Sequence, residues 1–161
     1  MNKEEYRFSF EVFDSVDELS QPDSWLLNEA RGVTESAYAP YSNFNVGAIA
    51  KLANGEIVAG TNQENASYPV GLCAERVLLS TAATLYPQIA IDTMAISYNN
   101  NNGESKHPIS PCGICRQSLS EYEERTGQPI RLILSGMEGK VYIIPRSGDL
   151  LPLSFGKFDM K

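Results

Sequence analysis

The chain has 161 residues, 42% hydrophobic and 20% charged, with 13 Lys and Arg against 20 Asp and Glu for a formal net charge of −7. A chain of this length buries roughly 68–70% of its unfolded surface, so one core suffices and disulfides are not required. The acidic balance repels phosphate backbones and argues against a broad nucleic-acid footprint or an anionic membrane surface. The lack of a long apolar run or a signal-like N-terminus reads as a cytoplasmic chain with a small, weakly charged partner.

Residues 1–21 are charged, yet Phe8, Phe10 and Val12 alternate with Ser9 and Glu11. This N-terminal extension reads as either a short half-buried strand or a tail. Residues 22–161 read as one domain. Asp23 or Ser24 suits the N-cap of a helix carrying Trp25, Leu26, Leu27, Ala30 and Val33 and ending before Pro40. Val46 to Leu52, the Asn54-Gly55 turn and Ile57 to Gly60 predict a β-hairpin. A mostly buried helix follows from about Cys73 to Tyr86, then a strand from Ile89 to Tyr98 with Met94, Ile96 and Tyr98 on one face and Ala95 and Ser97 on the other. The polar run Asn99 to Ser105 predicts a solvated loop, its Asn and Gly content favouring disorder over function. A further helix starts near Pro111 or Cys112 and ends at Thr126, with Gly127 as its C′ residue. Strands at Ile130 to Leu134 and Val141 to Ile144 complete a mixed sheet with helices packed on it.

The three cysteines, Cys73, Cys112 and Cys115, cannot all pair within one chain. In a reducing compartment they stay thiols, available for ligation, redox chemistry or packing. Both cysteine segments fall where a loop turns into a helix, and the free N–H groups and positive dipole end of a helix N-terminus favour thiolates. Two such termini converging would surround one cation with sulfur. Zinc suits that set, because it accepts tetrahedral thiolate ligation and a catalytic site keeps one position open. Glu75, two residues beyond Cys73, is placed to take up and return a proton beside such a centre. Arg76 adjoins the cluster and, by donating to sulfur, would offset the excess negative charge of three thiolates. His107, the single histidine, reads either as the fourth ligand of a structural zinc site or as a loop residue before Pro108.

Cys73-Ala74-Glu75-Arg76 followed by Pro111-Cys112-Gly113-Ile114-Cys115-Arg116-Gln117 resembles the zinc signature of the cytidine deaminase family. Tyr41 to Ala48 is similar to that family's YSxFxVGA segment, Asn62 to Pro69 to its NxENAxYP segment, and Leu150 to Phe155 to its LLPxxF segment. The resemblance spans roughly Trp25 to Phe155 and makes 22–161 a single catalytic domain. It departs from the family pattern in the long N-terminal stretch, the extended loop from Asn99 to Pro108, and the Glu-rich segment from Ser120 to Gly127.

The resemblance implies an α/β fold of three layers, with a mixed five-stranded sheet and helices on both faces. It implies one zinc per subunit on Cys73, Cys112 and Cys115, with Glu75 as proton shuttle. It implies that Phe44 stacks on the pyrimidine, that Asn62 and Glu64 hydrogen-bond the ribose, and that the backbone of Ala74 lies near the base. Asn62 and Glu64 also make sense unaided, since residues i and i+2 of an extended segment face the same side. A cysteine as first ligand matches the homotetrameric branch, in which residues matching Tyr68 and Phe155 close a neighbouring subunit's pocket. The implied reaction is zinc-dependent hydrolysis of cytidine and 2′-deoxycytidine to uridine and 2′-deoxyuridine with release of ammonia, in pyrimidine salvage. Two other readings are a deaminase of another cytosine-containing nucleoside or antibiotic, and a non-catalytic zinc or nucleoside-binding protein.

Overall fold

Side chains of the central strands alternate between two separate cores, one on each face of a sheet. A computed structural model describes residues 1–160. The elements are β1 (Glu11–Phe13), α1 (Gln21–Val33), β2 (Phe44–Leu52), β3 (Ile57–Thr61), α2 (Ala74–Leu85), β4 (Ile91–Asn100), α3 (Gly113–Thr126), β5 (Arg131–Ser135) and β6 (Val141–Ile144). They form one sheet in the order β1-β6-β5-β4-β2-β3. Only the β4–β5 pair is parallel, as expected where a helix, here α3, makes the crossover.

Ile49, Ala95, Ile133 and Ile143 pack against Leu26, Leu27 and Ala30 of α1. Their neighbours Ala48, Ala50, Met94, Ile96, Leu132, Leu134 and Ile144 pack on the opposite face against Leu78 and Ala82 of α2 and Leu119 and Tyr122 of α3. The three-layer α/β architecture is as the sequence implies, with one strand more. The sixth strand is β1, whose Glu11, Val12 and Phe13 face Ile143, Tyr142 and Val141 across an antiparallel ladder. It forms because β6 otherwise presents an open row of backbone donors and acceptors, an opportunity that periodicity within residues 1–21 cannot reveal.

Two local expectations are corrected. The N-cap of α1 is Ser20, whose Oγ accepts from the Asp23 amide at 3.4 Å. Pro22 then falls in the first turn, where a missing N–H leaves no bond unmade. The loop after β4 is tied down: the strand continues through Asn99 and Asn100. Beyond it the Asn100 amide donates to Ser105 Oγ (2.8 Å), Asn101 donates from its backbone to the Asn43 carbonyl (2.9 Å), and the Asn102 side chain donates to the Ser42 carbonyl (3.3 Å). These asparagines act as local hydrogen-bonding groups that brace residues 42–45.

The Glu-rich stretch has an internal use as well. Glu123 is buried and accepts from the Ile130 amide (2.9 Å), the Ser147 hydroxyl (2.7 Å) and the Gly148 amide (3.2 Å), fastening the end of α3 to the start of β5 and the chain beyond β6. No helix is long and apolar enough to cross a membrane among the described residues.

Asp23, at the start of α1, takes two hydrogen bonds from Arg131 of β5, at 2.7 and 2.8 Å. The guanidinium holds its carboxyl below the usual carboxylate range against the opposing effect of partial burial. A folded-state value below the unfolded one means that the pair stabilises fully above the unfolded Asp value of about 3.9 and loses its effect as pH falls through the lowered value. Asp23→Asn is expected to lower stability near neutral pH by about 1 kcal/mol in urea unfolding, with the difference from the parent chain closing as the solution is acidified.

Candidate functional site

α2 and α3 begin at the same end of the sheet, and each begins on a cysteine. Cys73 and Cys112 are the N-caps, both in extended backbone and neither using its side chain to cap. Cys115 lies inside the first turn of α3 and is buried. The close seating of α2 depends on Gly60 of β3: a Cβ there would run into the Ala74 carbonyl and the backbone of Leu78. Only a residue without a side chain lets the strand pass beneath the first turn of the helix.

The three sulfurs lie within 4.8 Å of one another and are the only group of potential metal ligands of this kind among the described residues. Cys73 and Cys112 are 3.7 Å apart, Cys112 and Cys115 3.5 Å. A zinc ion bonded to sulfur at about 2.3 Å in tetrahedral geometry requires a sulfur–sulfur edge of about 3.8 Å. The donor set therefore fits zinc in both softness and spacing. The thiol of Cys73 is drawn down to about 6, first by the hydrogen bond from Cys115 and against burial and the nearby Glu75. Cys115 is pushed the other way, because its proton is held on the Cys73 sulfur and its site is buried. One sulfur in the cluster is thus already poised as a thiolate at neutral pH.

Cys73 and Cys112 line a cleft of about 300 Å³ together with Val46, Asn62, Glu64, Tyr68, Leu72, Ala74 and Glu75, and Cys115 lies buried behind them. That volume is at the small end of the roughly 300–1,000 Å³ typical of ligand clefts. Glu75 is 5% exposed, and burial raises its pKa above the usual carboxylate range. Burial that favours the neutral form in this way makes the carboxyl a group that can take up a proton and release it when the local charge changes.

Asn62 and Glu64 both face the cleft, but both are already engaged. Asn62 accepts from the Val46 amide through Oδ1 at 2.7 Å and donates from Nδ2 to the Phe44 carbonyl at 2.8 Å, which leaves one N–H and one lone pair for anything else. Glu64 Oε2 accepts from the amides of Tyr41 (2.9 Å) and Ser42 (3.3 Å). Against desolvation, the largest single influence and one that raises it, the Ser42 hydroxyl and those two amides together keep its pKa below the usual range, so it is anionic near neutral pH.

Phe44 does not line the cleft; its ring stacks on Tyr98 at 4.8 Å and 10°. Tyr98 in turn meets His107, hydroxyl to Nδ1, at 3.3 Å. His107 therefore belongs to the aromatic wall and stands apart from the sulfur cluster. Tyr68 lines the cleft at 76% exposure, and Phe155, at 60% exposure, does not reach it. Arg76 forms no hydrogen bond to sulfur among the described residues. It lies in the groove between α2 and α3 beside Arg125 and Glu121, and only its charge reaches Cys73, contributing to the lowered thiol.

Two residues of the signature have a function that sequence reading did not identify. Arg116 donates to the Pro111 carbonyl (2.8 Å) and the Leu150 carbonyl (2.9 Å), clamping the approach to Cys112 onto the chain after β6. Gln117 donates to the Phe155 carbonyl at 2.9 Å. Their place directly after Cys115 was the available signal, but their partners are remote in sequence.

Comparison with known proteins agrees with this geometry. The family model described as the cytidine and deoxycytidylate deaminase zinc-binding region matches residues 20–127. The chain is 37% identical over 135 residues to a cytidine deaminase of Halalkalibacterium halodurans, covering 84% of this chain and 95% of that one. It is 34% identical over 139 residues to a cytidine deaminase of Mycobacterium tuberculosis, covering 84% and 90%. A crystal structure of cytidine deaminase from Burkholderia pseudomallei superposes with a TM-score of 0.72 at 34% identity, covering 85% of this chain and all of that one.

Because the Asn62 amide is bonded to the backbone of β2, Asn62→Ala is expected to cost about 1–2 kcal/mol of stability even without ligand. Thermal unfolding of the ligand-free protein is the check.

Proposed function

We propose residue roles for a chain that belongs to the cytidine and deoxycytidylate deaminase family and is a zinc-dependent hydrolase deaminating cytidine. Cys73, Cys112 and Cys115 hold one zinc ion, and Glu75 carries the protons. The observation that supports this is the buried Glu75 beside three sulfurs spaced for one tetrahedral ion. When bound to these three thiolates, zinc would supply Lewis acidity, activating water near neutral pH and stabilising negative charge on an attacking oxygen.

Glu75 accepts a proton from the attacking water and passes it to N3 of the cytosine ring, which makes C4 electrophilic. The water oxygen bonds to C4; the same carboxyl then takes the second proton from the new C4 hydroxyl and delivers it to the amine as the C4–N bond breaks, leaving a C4 carbonyl, so that water is consumed and ammonia released. Its burial suits this exchange, because the charged and neutral forms are brought closer in energy. The backbone of Ala74, the first residue of α2, borders the base. Phe44 stands outside the lining of the cleft, but its carbonyl is held by the cleft residue Asn62, and on our reading its ring, backed by Tyr98, meets the pyrimidine at the cleft's edge. The remaining N–H of Asn62 and the free oxygen of Glu64 take the sugar hydroxyls.

The anionic Glu64 at the sugar end favours a free nucleoside, cytidine or 2′-deoxycytidine, because a 5′-phosphate beside that carboxylate is repelled. On this reading residues 22–161 are the catalytic domain and 1–21 an extension of it. We also propose a homotetramer in which Tyr68 and Phe155 complete pockets of neighbouring subunits. The exposure of Tyr68, Val70, Leu72, Ile114 and Phe155 around and beside the cleft supports it, since apolar groups gathered near a site mark an association surface.

Glu75→Ala is expected to cut kcat by about 10³-fold or more while the protein still carries one zinc per chain. Loss of cytidine absorbance and elemental analysis are the two measurements, and substantial residual turnover would sink the assignment. Light scattering is expected to give a tetramer, and Phe155→Ala to raise KM more than it lowers kcat; a fully active monomer would rule the assembly out.

A further inference from the structure

The matched family region begins at residue 20, and a relative aligned over 95% of its own length covers only 84% of this chain. Residues 1–19 lie outside that region, yet they are built into the structure. β1 joins the sheet at β6, and Phe13, Val16 and Leu19 pack against the α1 core. On the other face the Phe10 ring lies 5.0 Å from that of Tyr142. Beyond the strand, Tyr6 donates its hydroxyl to the backbone carbonyl of Asp149 at 2.8 Å, 143 residues away. A segment that only covered the open edge of β6 would need the ladder from Glu11 to Phe13 and nothing more.

Asp149 opens a stretch of chain that α3 also holds. The Leu150 carbonyl takes Arg116 Nη1, and the same guanidinium holds the Pro111 carbonyl, one residue before Cys112. The Phe155 carbonyl is held by Gln117. Between these ties Leu153 adopts a left-handed φ of 56° with a fully exposed side chain. A leucine in that conformation is unfavourable unless the chain on both sides fixes it. Segment 149–155 is therefore an outward loop fastened at its start by the N-terminal arm and α3 and at its end by α3 alone.

We propose that Tyr6, delivered by β1, is a positioning residue that fixes segment 149–155 and so sets where Phe155 is presented. The consequence for turnover rests on Phe155 completing a neighbouring subunit's pocket, whereas the structural consequence does not.

The test compares the full chain, Tyr6→Phe, and a deletion of residues 2–9 that leaves β1 and its cover of the sheet edge intact. Hydrogen–deuterium exchange of the peptide over 149–155 is expected to quicken about fivefold in Tyr6→Phe, the effect of losing one net hydrogen bond, and further in the deletion. KM for cytidine rises in the same order, while kcat and zinc content stay near those of the parent. Unchanged exchange in both variants overturns the proposal. Faster exchange with loss of kcat and zinc also overturns it, since the arm would then act through Cys112 instead; faster exchange with an unchanged KM upholds the positioning of 149–155 and overturns only the pocket role of Phe155. A parent chain that leaves cytidine untouched defeats the deaminase reading, and exchange still decides the role of Tyr6.

Discussion

The convergence of two helix N-termini on one point is the constraint around which the rest of the fold is organised. α2 and α3 each begin on a cysteine, and three sulfurs can share one ion only if those first turns sit within a few ångströms of each other. The parallel β4–β5 crossover lays α3 on the same face of the sheet as α2. Gly60 removes the side chain that would keep α2 from its seat. Arg116 fixes the approach to Cys112 by holding the Pro111 carbonyl. A thiolate cluster concentrates negative charge, and helix N-termini offset it with oriented N–H groups, which makes their meeting point a suitable place for it.

The walls of the cleft show how polar groups are organised before substrate arrives. Asn62 and Glu64 spend part of their hydrogen-bonding capacity on the backbone of residues 41–46. That same stretch is braced from behind by the asparagines after β4. The side chains proposed to meet the sugar are thereby held in place before binding, which reduces the entropy lost when a ligand is taken up. Phe44 is treated the same way, with its backbone carbonyl bound to Asn62 and its ring resting on Tyr98.

Electrostatics narrows the substrate from both directions. A net charge of −7 disfavours polyanions in general, and the anionic Glu64 does so within the cleft. Arg76 moderates the cluster by its field and without a direct bond, which leaves the helix ends, and a zinc ion when bound, to offset the charge of the thiolates.

Much of this was legible in the sequence, for reasons that are local. Apolar alternation marked β2 through β6, Gly127 marked the end of α3 at a left-handed residue, and the ordered cysteine and glutamate motifs named the chemistry. A helix cap, a turn glycine and a ligand spacing are each decided by residues a few positions apart. What stayed hidden depended on partners far along the chain. The alternating residues near the N-terminus could not be told from a tail until the open edge of β6 was in view, and the polar loop after β4 showed itself ordered only once residues 42–45 lay beside it. The hydrogen bonds of Arg116, Gln117 and Glu123 were not legible in the sequence, because each reaches a partner beyond β6. Motif spacing alone pointed to the atoms proposed to carry the reaction. Tertiary structure decided how they are held, because burial and hydrogen-bond satisfaction belong to the folded chain as a whole.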